Sequence, residues 1–172
     1  AVRDAFRISD RFDYQQFYIE HGYKELSIQA GTNDAFRLEK NALHIWPRES
    51  FMLIALPNPD GSFTLTLFFP FEGAVSFDAL ITDHEINSFF EKTFPDAKNL
   101  MPDLLDEFAQ NPTSSLVTVK CFPWVKNKTM LIGDAAHAIV PFYGQGMNAG
   151  FEDCRVLNSL MNTHTENWDI VL

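Results

Sequence analysis

Asp134 is the side chain whose neighbours best prepare it for chemistry. With Gly133 it follows Thr129-Met130-Leu131-Ile132, an apolar burst of the kind shown by a strand buried on both faces. In open α/β sheets ligands lie beyond the carboxyl ends of the strands, so a carboxylate at that point meets a ligand's hydroxyl groups. Pro141, Gly144 and Gly146 follow and clear side chains from the backbone, which lets a flat molecule approach closely. From Asn148 onward Phe151, Cys154, Leu157, Leu160 and Met161 recur at spacings of three and four, which predicts a helix opening right after the glycines. Its free amides and positive dipole end suit an electron-rich or anionic group on the loop.

Other chemistries find less support. The chain has no Ser-His-Asp order, no paired catalytic carboxylates and no His or Cys cluster at metal-ligand spacing, so neither a protein catalytic residue nor a metal is expected. His137, inside Ala-Ala-His-Ala, is expected to form a structural hydrogen bond rather than act as a base. Glu152 and Asp153 are adjacent, and neighbouring helix positions point about 100° apart, so helix N-terminal electrostatics is their expected role. Cys121 and Cys154 sit in apolar periodic contexts and are expected to be reduced, buried and inert.

Two groups of elements must position the loop. From Tyr23 to about Pro70 the pattern is β: Lys24, Leu26 and Ile28 alternate with Glu25 and Ser27, Leu43 and Ile45 with His44 and Trp46, and Phe63, Leu65, Leu67 and Phe69 with Thr64, Thr66 and Phe68. Phe51 to Leu56 is continuously apolar and reads as an interior strand. Asn58-Pro59-Asp60-Gly61 predicts the tight turn of a hairpin, and Gly31-Thr32-Asn33-Asp34 predicts another. The result is an antiparallel sheet with one face open to a cavity or a partner. A helical insert follows. Thr82 with Glu85 makes a capping-box start, Ile86, Phe89, Phe90 and Thr93 trace one face, and Phe94-Pro95 ends it. A second short helix after Pro102 turns Leu104, Leu105 and Phe108 inward, and Leu116 to Phe122 then alternates as a strand.

Composition bounds the function. With 46% apolar residues, seventeen Phe among them, 172 residues can bury one sizeable core or two small lobes. A formal charge of −10 with thirteen scattered basic residues argues against nucleic acid, which needs clustered Lys and Arg. No apolar run approaches the roughly 20 residues that span a bilayer.

The run Gly133-Asp134-Ala135-Ala136-His137, with Pro141 and Gly144-Gln145-Gly146-Met147-Asn148, resembles the second flavin-binding motif of the FAD-dependent aromatic hydroxylases, the para-hydroxybenzoate hydroxylase superfamily. The variant Pro141-Phe142-Tyr143-Gly144-Gln145-Gly146-Met147-Asn148, together with His21 to Leu26 and Leu43 to Arg48, is most similar to the branch of that superfamily that hydroxylates L-kynurenine at its 3-position in tryptophan breakdown. The resemblance covers about Arg11 to Leu160. It implies FAD as cofactor and NADPH and O2 as co-substrates; the lack of a bilayer-length apolar run makes a cytoplasmic location the expectation for this piece, any membrane anchor lying outside it. Its chemistry is transfer of one oxygen atom from the reduced, oxygen-loaded flavin to an electron-rich ring, which kynurenine's own amino group activates.

By the same resemblance Gly133, Asp134, Pro141, Gly144, Gly146, Met147 and Asn148 hold the cofactor. Asp134 bonds the ribityl chain, and the helix-start amides face the pyrimidine side of the ring. Pro141, Phe142, Tyr143 and Gln145 match positions lining the aromatic end of the substrate pocket. Leu26, Phe36, Leu38 and Phe51 are sheet residues placed at its floor or wall, although plain core packing explains them equally well.

The resemblance also sets the domain expectations: residues 1–10 as the tail of the family's middle motif, 11–120 as a substrate-binding β-sheet domain with helices near 83–94 and 102–110, and 121–172 as the C-terminal part of the FAD-binding domain. The family's Gly-x-Gly-x-x-Gly turn is absent. The expected fold class is therefore an α+β fragment of an α/β flavoprotein: an antiparallel sheet with helical insert, then the last strand and helix of the FAD domain. Such a piece is expected to bind neither FAD nor NADPH tightly and to be inactive alone. Arg3 is expected to be disordered, with contact to NADPH phosphate as its alternative. Two other functions stand beside this one: another flavin hydroxylase or epoxidase, or a non-catalytic binding or dimerisation module self-associating through an exposed sheet.

Overall fold

The computed structural model describes residues 2–8, 11–164 and 167–168. In chain order the elements are α1 (Val2–Arg7), β1 (Asp13–Ile28), β2 (His44–Pro47), β3 (Met52–Pro57), β4 (Phe63–Pro70), α2 (Asp83–Thr93), α3 (Pro95–Lys98), α4 (Leu104–Gln110), β5 (Ser114–Phe122), β6 (Val125–Lys126), β7 (Thr129–Met130), β8 (His137–Ala138) and α5 (Gln145–Thr163). They form two compact units, one of residues 19–115 and one of residues 1–18 with 116–172.

In the 19–115 unit the strands run antiparallel in the order β2-β3-β4-β1. Leu26 lies opposite Leu65, Leu65 opposite Ala55, and Ala55 opposite His44. Because side chains alternate across a strand, this register puts Leu26, Ile28, Leu53, Ala55, Phe63, Leu65, Leu67 and Phe69 on one face. All eight are buried, and they form one core with Ile86, Phe90, Phe94, Leu104 and Phe108 of the helical insert. Each large side chain so buried contributes roughly 2 kcal/mol.

The predicted turn at Asn58-Gly61 does join a hairpin, of β3 and β4. Gly61 takes φ +85, which glycine adopts without strain, and the Asn58 N–H donates to the Ser62 carbonyl at 2.8 Å. The second expected hairpin does not form. Thr32–Asp34 is a local turn in which Asn33 and Asp34 take left-handed φ of +59 and +57, closed by the Gly31 N–H on the Ala35 carbonyl at 2.7 Å, but β1 finds its partner in the distant β4, which leaves β2 to pair with β3. A register set by long-range pairing overrides a local turn signal. For the same reason Phe36 and Leu38 are not sheet residues but lie in the irregular stretch before β2, and Phe51 sits just ahead of β3.

The insert begins as the capping box predicts: Thr82 Oγ1 accepts from the Glu85 N–H at 3.3 Å while Glu85 Oε2 accepts from the Thr82 N–H at 2.8 Å. Pro95 opens α3 after α2 stops. Arg48, just after β2, ties the strand region to the end of α2. Its guanidinium donates to the Thr93 carbonyl at the end of α2 and lies 4.8 Å from the centre of the Phe94 ring. Helix α4 is fastened to β1, since the Ser27 N–H donates to Glu107 at 2.7 Å and Asn111 donates to the Glu25 carbonyl at 2.8 Å.

The other unit has a smaller core of Phe6, Cys121, Leu131 and Ala136. Strands β5 and β8 pair antiparallel, Val119 facing Ala138 and Lys120 facing His137. The burst at Thr129-Ile132 is not a strand buried on both faces. Only Thr129–Met130 is paired, in a short hairpin with β6, and Ile132 is 39% exposed. Apolar composition reports a tendency to be buried, but a ladder must be supplied by neighbours, and here β6 alone supplies it. Helix α5 starts at Gln145 rather than Asn148, and Cys154 is exposed, contrary to expectation. Helical periodicity marks a face without saying what covers it. Among the described residues no helix is long and apolar enough to cross a membrane.

Candidate functional site

After β7 the chain reaches the surface and turns sharply. Gly133 takes φ +58 at the start of a 3-10 turn, Gly133–Ala135, and the Ala136 N–H closes it on the Gly133 carbonyl at 2.9 Å. A second 3-10 turn, Pro141–Tyr143, starts with the proline whose ring presets φ, and ends at Gly144 with φ +62. Gly144 is the N-cap of α5 and offers no side chain to the helix's first amides. Those amides therefore stay available to a ligand.

Between the two turns and the start of α5 lies a cleft of about 500 Å³, lined by Gly133, Asp134, Ile139, Pro141, Gly144, Gly146, Met147 and Gly150. The cofactor positions expected from the sequence, Asn148 excepted, are thus brought together. Asn148 does not line the cleft; its amide donates to Gln145 Oε1 at 3.0 Å, while Gln145 donates to the Tyr143 carbonyl at 3.1 Å. The Asp134 carboxylate is exposed at the cleft. A Cβ built on Gly133 or Gly144 meets nothing within 4 Å, so at both positions the glycine serves backbone conformation.

Of the residues expected to line a substrate pocket, Pro141 lines this cleft, while Phe142, Tyr143 and Gln145 are next to lining residues in the chain and Tyr143 is 87% exposed. The other four belong to the 19–115 unit. There Leu26 is in the core, Leu38 packs against it, the Phe51 ring meets Phe69 edge-on at 4.9 Å, and Phe36 meets Phe63 edge-on at 5.9 Å.

Three side chains hold the Asp134 turn, two of them, Asp153 and Arg3, in roles other than those expected from the sequence. Asp153 does not serve the helix N-terminus: its Oδ2 accepts from the Gly133 N–H at 2.7 Å and lies 2.8 Å from His137 Nε2. Its neighbour Glu152 turns away and pairs with Arg155, one turn further along α5. His137 is the hydrogen-bonding residue expected, its ring 5.1 Å from that of Trp124. Arg3 is not disordered but lies in α1, where Nη1 donates to the carbonyls of Asp134 and Ala135 at 3.1 and 3.2 Å. A stripe of Gly146, Gly150 and Asp153 at helical spacing was the available signal, for small residues let a helix approach a turn closely. Burial pushes the Cys121 thiol up, which keeps it protonated to donate to the Ala136 carbonyl at 3.0 Å.

Residues 97–168 match the FAD binding domain family. Over 154 residues, 89% of its length, the chain is 63% identical to the kynurenine 3-monooxygenase of Dictyostelium discoideum, and over 171 residues, 99% of its length, it is 53% identical to that of Christiangramia forsetii. It spans 34% and 38% of the length of those two proteins. Among solved structures, a tetrameric form of 2-methyl-3-hydroxypyridine-5-carboxylic acid oxygenase superposes with a TM-score of 0.65 at 19% identity, over 94% of this chain and 42% of the other. The tetracycline destructase Tet(51) superposes with a TM-score of 0.53 at 16% identity, over 92% of this chain and 42% of the other. At those identities the likeness establishes the fold.

Proposed function

By sequence this chain belongs with the kynurenine 3-monooxygenases, and from that kinship we propose that it forms part of an enzyme using FAD, NADPH and O2 to hydroxylate L-kynurenine at the 3-position. The observation that carries this reading is the cleft where Asp134, the left-handed Gly133 and Gly144 and the uncapped start of α5 meet. Those features fit a flavin. The exposed carboxylate accepts hydrogen bonds from sugar hydroxyls, the glycines leave the backbone bare to a planar ring, and the helix-start amides hold negative charge.

When bound, FAD supplies the oxygen-transfer chemistry. The chain's own residues orient and shield. Pro141 fixes the turn beside the ring, and Phe142 and Tyr143 bring aromatic surface to an aromatic substrate. Gln145 offers an amide for its polar groups. Leu26, Phe36, Leu38 and Phe51 serve the packing of the 19–115 unit, where Leu26 is buried and Leu38 and Phe51 pack against the same core. No protein base is required, because the amino group of kynurenine donates electrons to the adjacent ring carbon.

Since the chain spans about a third of its relatives' length, the 172 residues alone are proposed to be inactive and to bind FAD weakly. Oxidation of NADPH by the full-length protein, with FAD and with or without L-kynurenine, tests the reading. Stimulated oxidation with formation of 3-hydroxykynurenine is the expected result. Stimulation by other aromatics but not by kynurenine would sink the substrate assignment and leave the flavin site standing.

A further inference from the structure

We infer that Asp153 is a positioning residue, fixing the turn that presents Asp134 to the cleft. The inference rests on the reading of that cleft as a flavin site. Asp153 sits well inside α5, beyond the first turn where a carboxylate gains from the helix dipole, and aspartate is an indifferent helix former. Nothing in the helix itself explains it. Its side chain is only 16% exposed and points at the turn. One oxygen, Oδ2, meets the N–H of Gly133 at 2.7 Å and Nε2 of His137 at 2.8 Å, so a single carboxylate holds both ends of the 133–137 segment. Hydrogen bonds to an ionised acceptor are the stronger class.

Geometry permits the contact because α5 passes close to the turn. A Cβ on Gly150, one turn before Asp153, would stand 3.8 Å from the Gly133 Cα. On the carbonyl side Arg3 holds Asp134 and Ala135. With amide and carbonyl groups both fixed, the Asp134 side chain is left to the cleft, which Asp153 itself does not line. The reach of Asp134 to a ligand therefore depends on Asp153.

The test is a double-mutant cycle on the full-length protein. FAD dissociation constants are measured by flavin fluorescence for the wild type, Asp134→Ala, Asp153→Ala and the double variant, each well below its own melting temperature. Each single change is expected to weaken FAD binding by about tenfold. The double variant is expected to bind within about threefold of Asp134→Ala, because the two act through one contact. Asp153→Asn, whose amide oxygen can replace Oδ2, should stay within about threefold of the wild type. A residue that merely supported the fold would lower the melting temperature without this non-additivity.

Additive losses, or wild-type affinity in Asp153→Ala, would overturn the proposal while leaving the flavin site intact. Wild-type affinity in Asp134→Ala would remove the flavin site itself, and the proposal with it. If Asp153→Ala does not fold, Asp153→Ser, too short to bridge Gly133 and His137, enters the same cycle with the same two outcomes.

Discussion

Gly61 and Gly144 both hold left-handed backbone, at φ +85 and +62, yet a methyl group would cost them very different amounts. At Gly144 a Cβ meets nothing within 4 Å, so Gly144→Ala pays only for the conformation, about 1 kcal/mol. At Gly61 the Cβ would stand 2.2 Å from the Asp34 carbonyl oxygen, backbone that cannot step aside without moving the Thr32–Asp34 turn. Gly61→Ala is expected to cost about 3 kcal/mol or more, and thermal melting should rank the two variants in that order. Charge at the residue scale makes a second prediction. The Trp46 indole N–H donates to Asp96 Oδ2 at 2.7 Å and, as the largest cause, holds that carboxyl below its ordinary value. A depressed carboxylate gives stability that is present above its unfolded pKa and is lost as pH falls through the folded one. Trp46→Phe should therefore flatten the acid limb of a stability-against-pH curve; a limb as steep as the wild type's would show that the bond does not hold in solution. Comparing slopes separates this effect from the packing lost with the larger ring.

Helix α2 shows how far an element can be read from its residues. Thr82 and Glu85 exchange bonds at its start, Ile86 and Phe90 stand four apart on one face, and Pro95 marks its end, all signals within a few residues of one another. Thr82→Ala removes one partner of the box and is expected to cost about 1 kcal/mol, seen as a fall in melting temperature of about 3 °C. Wherever a contact is local, as here and in the Asn58-Gly61 hairpin, the chain order already contains it. Elements defined by distant partners were not legible in the same way. Gly31-Asp34 carries turn residues of equal quality, but β1 pairs with β4, and nothing near residue 31 announces that choice. The candidate site divides along the same line. Its glycines, Asp134 and the helix start lie in one continuous run and were read from spacing and resemblance. The hold on them was not, since Asp153 and Arg3 reach the turn across long sequence separations. Cys154 was misplaced because an apolar stripe fixes which side chains face together and leaves open whether anything lies on them.

At the scale of the molecule the two units differ in how completely they bury what they fold. Residues 19–115 close a Phe-rich core in which Phe63, Phe69, Phe90 and Phe94 have no exposed surface. Helix α5 in the other unit has no fully buried residue, and Phe151, 65% exposed, shares a helix face with Met147, four residues earlier and 68% exposed. Apolar surface left in water drives association at about 25 cal/mol per Å² covered, and a net charge of −10 opposes it through repulsion that salt screens. The two effects respond oppositely to ionic strength, which makes their balance measurable. The isolated 172-residue chain is expected to associate as concentration rises, and more strongly at about 0.5 M salt than at about 0.05 M, where the Debye length is several times longer than the side-chain contacts. Sedimentation velocity over a concentration series at the two salts reads this directly. Phe151→Glu removes apolar area and adds charge on the same helix, so it should leave the chain monomeric at concentrations where the wild type associates. A variant that associates as readily as the parent would place the sticky surface elsewhere, with Ile45 and Leu56 of the 19–115 sheet, each about half exposed, as the next to substitute.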